Sequence, residues 1–126
     1  MITQKRKNEM FKIFKTEAEK WIGFFGLFQY SFEFFNDELI DTYAEVKFDG
    51  DMISIIQSTL FDIPDDKIRL VAFHEVCEIL LNNVGELIRI NVGEVVERTE
   101  IHKIIRILEN TVFNAFNVKN GGKNDR

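Results

Sequence analysis

The run Val71-Ala72-Phe73-His74-Glu75-Val76-Cys77-Glu78-Ile79-Leu80-Leu81 sets one imidazole and two carboxylates into an otherwise apolar stretch. On a helix, where successive residues are ~100° apart, His74, Glu75 and Glu78 fall in one sector, flanked by Val71 and Asn82. A buried carboxylate or imidazole without a partner costs several kcal/mol or changes its protonation state, so such residues share partners or face a cleft. His74 and Glu78 stand at i and i+4, the separation at which two side chains of one helix face can bind a single ion, with Glu75 projecting beside them. The pattern supplies two ligands and one free carboxylate. A catalytic zinc usually takes three protein ligands and leaves one position open. The only other histidine is His102, expected at the border of the apolar stripe of a later helix, with Glu109 two turns further on. Glu109 can orient His102, act as a ligand itself, or pair with Arg69 or Arg106. The plainer alternative is a core histidine with Glu75 and Glu78 paired to Arg69, Arg89, Arg98 or Arg106.

The elements that must position these residues follow from periodicity. Met10, Phe11, Phe14, Ala18 and Trp21 recur at three- and four-residue steps and predict an N-terminal helix. Phe28, Tyr30, Phe32 and Phe34 alternate with polar residues, as do Ala44, Val46 and Phe48, and Met52 to Leu60 returns after the turn signal Asp49-Gly50-Asp51. Three antiparallel strands between Phe24 and Leu60 are the expectation. Asp62 and Pro64 suit a helix start, and a helix from about Pro64 is predicted to end near Asn82-Asn83-Val84-Gly85. Glu86 to Gly93 is ambiguous between the two periods. Val95, Ile101, Ile104, Ile105, Leu108 and Val112 predict one further helix to about Phe116, while Lys119 to Arg126 has no apolar residue and is expected to be a disordered tail.

Trp21 to Leu27, Ala72-Phe73-His74-Glu75-Val76 with Leu80-Leu81, and Glu100-Ile101-His102 with Arg106 to Asn110 together resemble small phage-encoded metallopeptidase-like proteins of minimal zincin type. The resemblance covers most of the chain from Trp21 to Phe113. It implies a single zincin-like α+β domain over residues 1–118: an N-terminal helix, a small sheet, the motif helix and a packed C-terminal helix. It also implies zinc on His74, Glu78 and His102, with Glu75 as general base in the hydrolysis of a peptide or amide bond. The usual HExxH motif here reads HExxE, with Glu78 in the place of the second histidine. A carboxylate is an acceptable zinc ligand. The rival expectation is a zincin-like protein without catalysis that binds a protein partner.

The 126 residues are 45% hydrophobic with a net charge of −5, enough to bury a core and unfavourable to phosphate contacts, so no nucleic-acid partner is expected. Lys5-Arg6-Lys7 reads as a solvated helix face. Cys77 is the single cysteine, which excludes an internal disulfide and is expected to be a small core hydrophobe. No apolar run approaches the ~18 residues of a membrane span, and MITQKRKNEM lacks the apolar stretch of a signal peptide, so a cytoplasmic protein is expected. The 13 phenylalanines read mainly as core. In Phe24-Phe25 and Phe34-Phe35 one ring must face outward, which suits self-association.

Overall fold

The computed structural model describes residues 2–121. Thr3 caps the first helix, its hydroxyl accepting the Arg6 backbone N–H at 3.1 Å, and α1 runs over Gln4–Phe25, beyond both ends of the predicted stretch. Met10, Phe14, Ala18, Trp21 and Ile22 form its buried stripe. The helix stops at Gly26, whose φ of 69° is costly for any residue with a Cβ.

Residues 26 to 30 are spent on that stop and the following turn, so the first strand, β1, begins at Ser31 rather than Phe28 and runs to Asp37. The second and third strands, β2 (Ala44–Asp49) and β3 (Met52–Ser58), form the expected hairpin. Asp49 pairs with Met52, leaving Gly50 and Asp51 as a two-residue loop in which Gly50 takes the positive φ of 60°. The sheet order is β1-β3-β2, with β1 parallel and β2 antiparallel to β3. The sheet is therefore mixed, not antiparallel throughout as the alternating segments suggested. β3 takes the centre because it is the strand with most to bury: Ile53, Ile55 and Gln57 form one covered face. The hairpin holds β2 against one side of it, and β1 occupies the other.

The helix carrying the motif, α2, spans Asp65–Leu80. Pro64 stands just before it, and its carbonyl accepts the Ile68 N–H at 3.0 Å. Asp62 does not cap this helix. Its carboxylate accepts the Arg6 Nε–H at 3.1 Å and ties the start of α1 to the segment before α2. Trp21 meets Phe73 edge to face, ring centroids 4.7 Å apart, and Phe14, Ile53, Ile55 and Ile68 complete a core among α1, α2 and the sheet. Each such side chain contributes about 1.5–3 kcal/mol by leaving water. Cys77 is buried with them, as expected.

The chain divides into two compact units, the first ending at Ile79 and the second beginning at Leu80. The second unit contains α3 (Asn82–Asn91), which takes up the ambiguous segment, and α4 (Glu94–Leu108). These two pack where Gly85 leaves room for Glu97 and Ile101. The single helix expected to Phe116 is instead broken by a π turn over Glu109–Phe113, followed by α5 (Asn114–Gly121). Of the tail expected from Lys119, residues 122–126 lie outside the described ones. No described helix is long and apolar enough to cross a membrane.

Candidate metal centre

α2 is covered around most of its circumference. Ile68, Ala72, Phe73, Glu75, Val76, Cys77 and Ile79 are buried, and the stripe left partly open is Val71, His74 and Glu78. His74 and Glu78 are thus half-buried rather than core residues, with side chains 33% and 39% exposed. The i, i+4 spacing brings His74 Nε2 and Glu78 Oε2 to 3.0 Å. That distance is a hydrogen bond when Nε2 carries its proton. It is also close to the ~3.3 Å edge of a tetrahedron built on metal–ligand bonds of ~2.0 Å, so little movement is needed for both atoms to reach one ion.

Glu75, next to His74 in sequence, is rotated away from that stripe and is 7% exposed. Burial pushes its carboxyl up from 4.5 to about 8; the nearby Glu78 carboxylate adds to the rise, Glu45 of β2 adds a little more, and His74 opposes it. At neutral pH this acid keeps its proton unless a cation is brought near. The sequence grouped the three polar residues together. The structure separates them into a half-buried pair and one covered acid.

His102 lies on α4 in the second unit and is exposed. Glu109, seven residues later, opens the π turn and is half-buried. The atoms of His74, Glu78 and His102 form a group that can hold a metal ion. Two nitrogens and one carboxylate oxygen are a donor set suited to zinc. Three of the four arginines proposed as partners for the motif glutamates are engaged within their own helices: Arg69 with Asp66, Arg89 with Glu86 and Arg98 with Glu94. The residue that sequence reasoning under-rated is Glu45, whose charge reaches Glu75 from β2. An alternating strand shows which residues share a face, but not which helix residue that face meets. No protein-family model, curated protein or solved structure matches the chain.

Proposed function

We propose that the protein is a zincin-like metal-dependent hydrolase acting on peptide or amide bonds, with His74, Glu78 and His102 as ligands of one zinc-type ion and Glu75 as general base. The observation that carries this reading is the 3.0 Å pair of His74 and Glu78 with a buried carboxyl on the adjoining residue. A divalent ion held there supplies Lewis acidity and favours ionisation of a water. Glu75 takes the proton of the attacking water and passes it to the leaving amine. In the metal-free chain burial keeps Glu75 protonated, and a cation on His74 and Glu78 would favour the carboxylate form that accepts a proton. Glu109 serves His102 as an orienting carboxylate, and the acidic balance of the chain sets nucleic acid aside as substrate.

The test is metal content. Protein purified without added metal and exposed to zinc should retain one equivalent by elemental analysis, and His74→Ala or His102→Ala should each abolish retention. Glu75→Gln should keep the ion and lose hydrolysis of a peptide library. Absence of stoichiometric metal in the unmodified protein, or its retention by both histidine variants, would overturn the reading. Metal retention without any hydrolysis would favour the non-catalytic rival, in which the exposed apolar side chains serve a protein partner.

A further inference from the structure

The covered face of β3 carries Ile53, Ile55 and Gln57. The two isoleucines need only apolar neighbours there. Gln57 brings a primary amide to a position where it is 4% exposed, and its Oε1 accepts no hydrogen bond from the described residues. A buried amide oxygen without a donor is destabilising by more than a typical hydrogen bond is worth, and in folded proteins such groups are satisfied by other protein groups or by ordered water. Gln57 also lines a cavity within the first unit, between Met10 and Phe14 of α1 and Ile68 and Val71 of α2. About 10 Å³ of that cavity is open to the centre of a water molecule.

We propose that this cavity is the binding site of one internal water molecule, which donates a hydrogen bond to Gln57 Oε1. Size, charge and polarity each narrow the occupant. A cavity of this volume holds one water and leaves no room for a second, or for a ligand of several heavy atoms. None of the lining residues is charged, so an ion would sit in the interior without a counter-charge, at a desolvation cost that excludes it. The amide oxygen calls for a donor, and water is the neutral donor of one heavy atom that the solvent supplies. Ser58 and Tyr43 line the same cavity and add hydroxyl groups to its walls. The Ser58 hydroxyl donates to the Leu39 carbonyl at 2.7 Å and accepts the Leu60 N–H at 3.2 Å, which leaves it one lone pair for a second bond from the water. The rest of the lining is apolar, and apolar cavities stay dry. The amide of Gln57 is therefore what makes the site.

Oxygen-17 relaxation dispersion counts the waters that stay in a protein longer than it takes to tumble. The unmodified chain should hold one more such water than Gln57→Met, whose side chain has nearly the same length but no amide. Matching circular dichroism spectra establish that the variant keeps the fold. A crystal structure of the unmodified chain should in addition show a solvent peak within ~3.2 Å of Gln57 Oε1. Neither measurement depends on the metal-ion reading, since no residue of this cavity is a proposed ligand or base. Equal counts of long-lived waters in the two proteins, or a crystal structure without that peak, would overturn the proposal. Should Gln57→Met fail to fold, the crystal structure of the unmodified chain decides.

Discussion

Glu75 gives the metal-free protein a pH dependence that can be worked out in advance. Its folded pKa of about 8 lies above the ordinary 4.5, with burial as the main cause and the Glu78 carboxylate second. Between those values the folded chain keeps a proton that the unfolded chain has lost. Folding stability therefore falls as pH rises through this window and levels off above about 8. At ~1.36 kcal/mol per tenfold change in the ionisation constant, the full loss is about 4 to 5 kcal/mol. Relaxation and water penetration around a newly ionised buried group reduce such penalties, so the figure carried forward is about 3 kcal/mol. Against a total stability of roughly 5–15 kcal/mol for a domain, this is a large fraction.

Glu75→Gln keeps the shape of the side chain and removes the proton. Urea unfolding of chelator-treated protein, followed by fluorescence of the buried Trp21, should give a stability that declines for the unmodified chain from pH 5 to pH 9. The variant, lacking that decline, should be the more stable of the two by about 3 kcal/mol at the alkaline end. Other titrating groups are common to both proteins and cancel in the difference. Zinc in excess should flatten the unmodified chain's curve, since a cation beside Glu75 restores its charged form. Two lines that stay parallel within about 1 kcal/mol over the whole range would refute the reasoning.

Two further expectations concern α1. Glu17 is buried, accepts the Trp21 Nε1–H at 2.7 Å and pairs with Lys20 Nζ at 3.0 Å, so Glu17→Ala leaves the indole N–H without its acceptor and should cost about 2–3 kcal/mol in urea unfolding. At Gly26 an added Cβ would meet only Phe28 Cε2, at 3.8 Å, while φ stays at 69°. Gly26→Ala should therefore cost only the backbone term, about 1 kcal/mol, lowering the thermal midpoint by a few degrees with no change in spectrum.

Elements that announce themselves locally were legible in the sequence. The Asp49-Gly50-Asp51 signal located the β2–β3 hairpin, although Asp49 itself pairs with Met52 and β3 stops at Ser58, short of Leu60. The heptapeptide of β1 was different. Alternation at Phe32 and Phe34 specifies a face, but says nothing about neighbour or direction, and the slot beside β1 went to β3 because Ile53 and Ile55 needed the centre. Glu86 to Gly93 fits two periods since Leu87, Ile88 and Ile90 satisfy both, and the π turn at Glu109 leaves no mark in residue type at all.

The candidate site shows the same limit at finer scale. His74, Glu75 and Glu78 were legible as one polar sector, but a helix covered on most sides has two boundaries, and periodicity does not say where they fall. In α2 one boundary runs between His74 and Glu75. Had it fallen one residue further, all three side chains would be wetted, Glu75 would titrate as an ordinary surface acid, and the group would be a solvated face like Asp65 and Asp66 at the start of the same helix. Placed where it is, the boundary leaves an imidazole and a carboxylate 3.0 Å apart at the surface and puts the third acid under cover, where only a nearby cation makes its charged form favourable at neutral pH. The cost of burying Glu75 is thus the physical link between the apolar packing of α2 and the ion-binding role assigned to its open stripe.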